Sequence, residues 1–214
     1  MAYDGLGAFI DRLEKAGELF RVSAPVDVRL EITEIADRVM KQGGPALVFE
    51  HVTGPEGRYD IPVAINLLGS ARRMAWALGV ETLDEAQQKV RDLLGLAKGP
   101  PAGGFLQRLA LLGRLAELGR IGPRMVRSAP VQERVYEGDA VDLGRLPIIT
   151  CWPQDAGPYI TLPLVITRDP VTGQRNVGMY RLQVLDRRSV ALHWPRHTTG
   201  ARHFERARAA GIAP

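Results

Sequence analysis

The sequence predicts a mixed α/β fold in two parts. In the first half, apolar residues at helical spacing alternate with short apolar runs, whereas beyond residue 129 short strand-like runs are separated by turn residues. A Gly- and Pro-rich connector at 98–104 and an apolar helix at 105–118 lie between the two patterns. We therefore predict an α/β domain over residues 1–128 and a strand-rich domain over residues 129–214.

The composition is that of a globular chain. It has 214 residues, of which 45% are hydrophobic, and a net charge of +4, so it can bury an ordinary core. We find no run of about 18 apolar residues and no signal-peptide pattern at the start, and we expect a cytoplasmic protein. One cysteine, Cys151, excludes an internal disulfide. The arginines near the end are mixed with His, Trp and Glu, so we expect no nucleic-acid partner.

Periodicity and capping residues define the elements of the first domain. Helical spacing of Leu6, Phe9 and Leu13 ends at Gly17, a typical C-terminal cap. Ser70 is a predicted N-cap, and Thr82 opens a predicted capping box. The predicted elements are helix 5–16, strand 18–22, helix 32–39, strands 46–50 and 61–66, helix 72–78, and a helix from the capping box to residue 94. An anion held by the arginines of the 66–73 turn stays an open alternative to capping.

The second domain is predicted around the turn Asp169-Pro-Val-Thr-Gly173. Its flanks, 160–167 and 176–185, should pair as antiparallel strands, a third strand at 190–194 should extend the sheet, and a helix should follow at 199–210. Short strands are also expected at 131–137.

Strand alternation separates two candidate residues of the second domain. Along 176–185 it places Asn176 and Arg181 on opposite faces, so a bulge near Gly178 is expected if both line one site.

Chemistry-bearing side chains concentrate between residues 151 and 203, which contain three of the four histidines and two of the three tryptophans. The carbonyl oxygen of Asn176 and the imidazole of His197 suit a divalent ion, although by spacing alone a turn asparagine and a surface histidine are the favoured explanation. Arg181 interrupts an apolar run, so it either meets an anion or lies at an exposed edge.

Other polar residues receive structural interpretations. Cys151 is interpreted as a packed thiol, and His51 and His203 as surface residues. Four carboxylates suit acid chemistry only by residue type, and none has the spacing of a paired acid site; they are Glu133, Glu137, Asp139 and Asp155.

Three segments carry a resemblance to a known family: Leu146–Thr161, Asn176-Val-Gly-Met-Tyr-Arg181 and His193-Trp-Pro-Arg-His-Thr-Thr-Gly200. They resemble the UbiD family of prenylated-FMN-dependent decarboxylases, and the patterns at 9–21, 45–50 and 66–73 agree. The resemblance implies an N-terminal α/β domain followed by the first part of a flavin-binding split β-barrel. It also implies that the chain is the first part of a longer protein, whose remainder carries the family's three functional glutamates.

The resemblance also implies roles for particular residues. Asn176 and His197 would be metal ligands, for Mn²⁺ with K⁺ as a further candidate ion, and Arg181 would be catalytic by orienting the substrate carboxylate. The implied cofactor-binding residues are Met179, Tyr180, Arg181, His193, Trp194, Pro195, Thr198 and Thr199.

The implied activity is reversible, non-oxidative decarboxylation of an aromatic or α,β-unsaturated carboxylic acid, such as 3-polyprenyl-4-hydroxybenzoate. Expected partners are the small carboxylic acid, a flavin prenyltransferase that supplies the cofactor, and further copies of the chain in a homo-oligomer. A polyprenylated substrate would bring at most peripheral membrane contact. The alternative is a truncated, non-catalytic flavin- or phosphate-binding module. A flavin reductase lacks support, because no Gly-x-Gly-x-x-Gly fingerprint is found.

Overall fold

The computed structural model describes residues 3–97 and 125–212, which form two compact units. The first unit comprises the described residues of Met1–Asp11 and Ser70–Glu137, and the second comprises Arg12–Gly69 with Gly138–Pro214. The predicted domain boundary after residue 128 falls inside the first unit and stays a prediction. The predicted connector and helix over 98–118 lie outside the described residues.

Two helices and their caps define the first unit. Helix α3 (Ala71–Ala77) begins after Ser70, whose hydroxyl accepts a hydrogen bond from the Arg73 amide at 3.2 Å. Helix α4 (Leu83–Ala97) follows Thr82, whose hydroxyl accepts from the Glu85 amide at 3.2 Å. Both predicted caps are confirmed, because each hydroxyl satisfies an amide that has no partner within the helix.

The strands predicted at 131–137 are wrong. The segment instead starts with a 3₁₀ turn over Pro130–Gln132. Proline favours the first position of a helical turn, because its φ angle is already set and it has no N–H to donate to a strand partner.

The second unit begins with the predicted α/β pattern. The elements are α1 (Leu6–Lys15), β1 (Leu19–Val22), β2 (Val26–Asp27), α2 (Glu31–Lys41), β3 (Ala46–Phe49), β4 (Val52–Gly54), β5 (Gly57–Arg58) and β6 (Val63–Ile65). Helix α1, whose first part belongs to the first unit, helix α2 and strands β1, β3 and β6 follow the predicted order, whereas the short strands β2, β4 and β5 were not predicted. Strand β3 lies between parallel β1 and antiparallel β6, and β4 lies between parallel β2 and antiparallel β5. All four residues of β3 are buried, as expected of a central strand.

The strand-rich part of the second unit contains a hairpin, a small sheet and a final helix. The elements are β7 (Tyr159–Ile160), β8 (Leu164–Arg168), β9 (Arg175–Met179), β10 (Leu182–Val184), β11 (Val190–Leu192) and α5 (Thr199–Ala209). Strands β8 and β9 pair around the predicted Asp169–Gly173 turn, which confirms the hairpin. Strand β10 lies between β7 and β11, both antiparallel to it.

The strand predicted over 176–185 is divided, and proline explains the division. Leu164 pairs with Met179, so the next residue pair along the ladder would join Pro163 to Tyr180. Because proline has no amide hydrogen, the ladder ends there. Tyr180 and Arg181 lie outside both strands. Because of this break, and not because of the predicted bulge at Gly178, the face that Arg181 occupies is not set by the side-chain alternation along β9.

The two halves of the second unit share one core. The Thr150 carbonyl accepts from the Leu30 amide at 2.9 Å, and the Thr150 amide donates to the Val28 carbonyl at 3.0 Å. Next to this bridge, Ile149 is buried with Ile32, Phe49 and Val52, and Cys151 packs against the same cluster. This packing confirms Cys151 as a packed thiol.

The β8–β9 hairpin has two unlike faces. Thr167, Asn176 and Gly178 are partly buried on the face that contacts α5. The other face carries four apolar side chains with 56–73% exposure; they are Leu164, Ile166, Val177 and Met179. Within the described ranges, no helix has the length and apolar character needed to cross a membrane.

Candidate functional site

Arg181 lies between a carboxylate and an aromatic ring. Its Nη1 donates to Asp155 Oδ1 at 3.0 Å, and its Nη2 donates to Asp155 Oδ2 at 2.5 Å. The guanidinium carbon lies 3.7 Å from the ring centroid of Tyr159, within cation–π range. Of the two sequence-based alternatives, an anion and an exposed edge, the structure combines both: Arg181 meets an anion of the same chain, and 38% of its side chain is exposed.

The Arg181–Asp155 pair fixes the charge of both groups. The hydrogen bond from Arg181 lowers the pKa of the Asp155 carboxyl, and the amides of Trp152 and Cys151 lower it further against the opposing effect of burial. The hydrogen bond to Asp155 raises the pKa of Arg181 above its usual range. Asp155 is therefore a carboxylate at neutral pH, which makes it unsuited to donate a proton there.

Asn176 belongs to a polar chain on the inner face of the hairpin. Its Nδ2 donates to Thr167 Oγ1 at 3.5 Å, and Thr167 Oγ1 lies 3.0 Å from His203 Nδ1. The interpretation of His203 as a surface residue is wrong, because only 6% of it is exposed. Its helix, α5, presents this residue to β8, and the hydroxyl of Thr167 satisfies a ring nitrogen that burial would otherwise leave unpaired.

Asp169 connects the turn of the hairpin to α5. Its Oδ1 accepts from the amides of Val171 and Thr172 at 2.9 and 3.2 Å, and its Oδ2 accepts from Arg206. His203 Nε2 lies 3.9 Å from the same Oδ2. The Val171 amide is the largest of the interactions that lower the pKa of the Asp169 carboxyl.

We expect Asp169→Asn to lower the melting temperature at neutral pH. The folded-state pKa of Asp169 lies below its unfolded value, so its stabilisation is present above the unfolded pKa, about 3.9, and is lost as the pH falls through the folded pKa. The gap between the melting temperatures of the variant and the unchanged chain should thus shrink below about pH 4. Thermal unfolding between neutral and acid pH measures this gap, with the exposed Asp139→Asn as the control. A gap that does not depend on pH would contradict the assignment.

Three aromatic rings form a row beside the start of α5. Tyr180 contacts Trp194 edge-on at a centroid distance of 6.1 Å, and Trp194 contacts Phe204 at 5.7 Å. Gly200 is buried under Trp194, where an added Cβ would lie 3.2 Å from the indole nitrogen. That nitrogen is a buried donor without a hydrogen-bond partner in the described part of the chain. Tyr180 and Trp194, both predicted cofactor-binding residues, are therefore brought together.

The start of α5 offers donors to an anion. The Thr198 hydroxyl accepts from the Ala201 amide at 3.3 Å and caps the helix. The amides of Thr199 and Gly200, in the first turn, have no acceptor within the helix. Such amides and the helix dipole favour a phosphate at this end. Pro195 is half-buried just before the cap, with its carbonyl accepting from Thr198.

Some of the residues present have the chemistry that a phosphate-bearing flavin and a bridging cation would need. Because Asn176 Nδ2 is directed to Thr167, its Oδ1 is left as a neutral ligand atom. The His197 ring is exposed one residue before the α5 cap. In residues 3–97 and 125–212 no three or more His, Cys, Asp and Glu side chains group into a metal site. The two predicted ligands would therefore need phosphate oxygens or further protein ligands to complete a coordination shell.

Not every predicted site residue joins these groups. Met179 is 62% exposed on the outer face of the hairpin, and His193 is exposed after β11. A separate cleft of about 430 Å³ lies between Val28–Leu30, Tyr59 and the 152–158 loop, and Asp155 is on its wall. None of the ten predicted site residues lines this cleft. The roles of the ten residues stay predictions.

Comparison with known proteins agrees with this fold. Residues 10–93 match the family "3-octaprenyl-4-hydroxybenzoate carboxy-lyase N-terminal domain", and residues 124–214 match the "3-octaprenyl-4-hydroxybenzoate carboxy-lyase Rift-related domain". An uncharacterised protein of Archaeoglobus fulgidus is 45% identical over 206 residues, which are 96% of this chain and 40% of that protein.

Two solved structures are similar along almost the whole chain. One is an evolved dimeric form of the UbiD-class enzyme HmfF from Pelotomaculum thermopropionicum in complex with prFMN, with a TM-score of 0.74 and 29% identity over 98% of this chain and 42% of that one. The other is the closed form of vanillic acid decarboxylase from Sedimentibacter hydroxybenzoicus, with a TM-score of 0.75 and 27% identity over 98% of this chain and 41% of that one.

These matches define a chain with a decarboxylase fold of the UbiD class. The chain belongs to the UbiD family, as its motifs at 146–161, 176–181 and 193–200 predict. It spans about 40% of the length of the relatives that it matches.

Proposed function

We propose that the chain works within a longer protein, of its relatives' length, that decarboxylates an aromatic or α,β-unsaturated carboxylic acid reversibly and without net oxidation. The observation that carries this proposal is Arg181, a guanidinium held between Asp155 and Tyr159 with 38% of its side chain still exposed. A planar guanidinium with free N–H groups suits a carboxylate better than any other side chain does. Family membership supplies the reaction class.

We propose prenylated FMN as the cofactor and Mn²⁺ as its bridging ion, with K⁺ as a further candidate. The α5 amides of Thr199 and Gly200 would hold the phosphate, and Asn176 and His197 would hold the cation. Tyr180, Trp194 and the remaining predicted lining residues would contact the ring system. When bound, the cofactor supplies an electron-accepting centre for the carbanion that loss of CO₂ leaves.

The part assigned to Arg181 is to bind and orient the substrate carboxylate. Binding by two parallel hydrogen bonds fixes the plane of the carboxylate as well as its position. Orientation of this kind places the bond to be broken against the cofactor before the reaction begins. The proton that replaces CO₂ would come from a group of the longer protein, because Asp155 stays ionised.

The proposed partners follow from the cofactor and the substrate. They are a small carboxylic acid, with 3-polyprenyl-4-hydroxybenzoate as one example, a flavin prenyltransferase that supplies prenylated FMN, and further copies in a homo-oligomer. We place the longer protein in the cytoplasm, with at most peripheral membrane contact if its substrate is polyprenylated.

The proposed activity is tested by CO₂ release from the longer protein. The protein would be produced together with a flavin prenyltransferase, loaded with Mn²⁺ and incubated with cinnamic, 4-hydroxybenzoic and 3-polyprenyl-4-hydroxybenzoic acids. Release that requires the prenylated flavin supports the proposal, and exchange of labelled bicarbonate into the acid tests reversibility. Flavin binding without release from any acid of these types would favour the non-catalytic alternative.

We expect His197→Ala to abolish metal-dependent retention of the flavin by the longer protein. Removal of one of two neutral ligands weakens the hold on the cation that would link the flavin phosphate to the protein. Co-purified metal and flavin absorbance measure the effect. His51→Ala is the matched control, because the His51 ring lies 2.6 Å from Arg58, within the α/β part, and His51 is not among the candidate site residues. Unchanged metal content in His197→Ala would remove His197 from the ligand set.

A further inference from the structure

We propose that Asp155 is a positioning residue for Arg181, which holds the guanidinium so that its remaining N–H groups face a substrate carboxylate. The inference rests on the proposed function of Arg181 and adds a residue to it. Its basis is the geometry of Asp155, Arg181 and Tyr159, which sequence analysis does not bring together.

Asp155 grips the end of the guanidinium with both oxygens. The two hydrogen bonds, at 3.0 and 2.5 Å, run from the two terminal nitrogens of Arg181 to the two oxygens of one carboxylate. A two-bonded contact of this kind fixes the plane of the guanidinium, whereas a single bond would let it rotate. The orientation of Arg181 is thus set by Asp155.

The carboxylate is anchored more firmly than the arginine. Its Oδ2 also accepts from the Trp152 amide at 3.1 Å, and the Asp155 amide donates back to the Trp152 carbonyl at 3.0 Å. The Asp155 side chain is only 11% exposed, against 38% for Arg181. A short, buried side chain bound to its own loop loses little further freedom when it binds a partner. Asp155 is therefore the fixed member of the pair.

The ring of Tyr159 stacks against one face of the Arg181 guanidinium. The ring lies 3.7 Å from the guanidinium carbon and is itself fixed. The Tyr159 amide donates to Ile149 at 2.9 Å, and its hydroxyl donates to Gln183 Oε1 at 3.3 Å across β7 and β10. One face and one end of Arg181 are therefore occupied by rigid groups.

Arg181 retains N–H groups that Asp155 does not use. A guanidinium carries five N–H groups; Asp155 accepts from two of them, and the side chain of Cys151 also interacts with the guanidinium. The Arg181–Asp155 pair is neutral overall, so its net charge would attract a substrate carboxylate only weakly. The carboxylate would be bound mainly by hydrogen bonds from the N–H groups of Arg181, whose directions are fixed. This arrangement selects for a planar carboxylate presented at one angle, which is what a positioned reaction requires.

The test is Asp155→Asn in the longer protein, with KM and kcat measured separately. The variant keeps the size of the side chain but loses the charge and one of the two accepting oxygens. We expect KM for the carboxylic acid to rise about tenfold or more, with bound flavin unchanged. Asp139→Asn is the matched control, because Asp139 forms a 2.6 Å pair with Arg188 on the exposed surface. It should leave both constants unchanged.

A double variant tests whether Asp155 acts through Arg181. If it does, Asp155→Asn should have much less effect in a protein that already carries Arg181→Lys than in the unchanged protein, since coupled residues are not additive. An equal effect in both backgrounds would overturn the inference.

The outcomes separate this inference from the proposed function. A fall in KM after Asp155→Asn would mean that Asp155 competes with the substrate, and the inference would be overturned. Normal KM in Asp155→Asn with impaired Arg181→Lys overturns the inference alone, whereas normal activity in both variants overturns the role of Arg181 itself. If Asp155→Asn does not fold, Asp155→Glu serves instead, because its longer side chain displaces the guanidinium and should also raise KM. An unchanged KM in Asp155→Glu would overturn the inference.

Discussion

Replacement of Arg181 by Lys should leave flavin bound to the longer protein and reduce turnover by roughly a hundredfold or more. A lysine ammonium is a point charge on a flexible stem, so it cannot form two parallel hydrogen bonds with each of two carboxylates. In the structure both terminal nitrogens of Arg181 already donate hydrogen bonds to Asp155. A lysine at position 181 that pairs with Asp155 would have no N–H group held in a fixed direction toward the substrate.

Flavin absorbance and steady-state CO₂ release measure the two parts of this prediction. Arg188→Lys is the matched control, because Arg188 pairs with Asp139 at the surface and is 56% exposed. Near-normal turnover by Arg181→Lys would leave Arg181 as an edge arginine paired with Asp155. Loss of flavin would instead assign Arg181 to cofactor retention.

Residues 1–214 alone should release no CO₂, even with prenylated FMN and Mn²⁺ supplied. Within the described residues, no three or more His, Cys, Asp and Glu side chains group into a metal site, and the two neutral candidate ligands, Asn176 and His197, would by themselves hold a divalent ion weakly. The carboxylate closest to Arg181, Asp155, is kept ionised by the same arginine. A missing proton donor typically costs about 10²–10⁴-fold in rate.

Incubation of the purified 214-residue chain with reconstituted cofactor and cinnamic or 4-hydroxybenzoic acid tests this expectation. The longer protein under the same conditions is the positive control. Measurable release by the shorter chain would mean that one of its own carboxylates, such as Glu133 or Asp155, supplies the proton. If that carboxylate is Asp155, its assignment as an ionised anchor for Arg181 would be wrong.

Local signals in the sequence predicted much of the secondary structure. The Asp169–Gly173 turn predicted the β8–β9 hairpin, and the pattern over 199–210 predicted α5, because turn and helix signals act between residues close in sequence. The motifs at 176–181 and 193–200 also predicted the family. Each of these features is encoded within a dozen or so residues.

The partners of the candidate residues could not be predicted in this way. Arg181 and Asp155 are 26 residues apart, and no periodic pattern relates them. The effect of Pro163 on the strand opposite it depends on the register of the hairpin, which only the folded pairing defines. The burial of His203 could not be predicted, because its contact with Thr167, 36 residues away in sequence, leaves no pattern in the charged helix that contains it.

The bridge between Thr150 and the β2–α2 segment has a consequence for the order in which the chain folds as it is made. Val28 leaves the ribosome roughly 120 residues before Thr150, which at about 5–20 residues per second is a delay on the order of ten seconds. During that interval the cluster around Phe49 and Val52 lacks Ile149 and remains open to water on that side. Closing so long a loop also slows the final step. The newly made α/β segment is therefore a predicted substrate for chaperones that bind apolar surfaces early in synthesis.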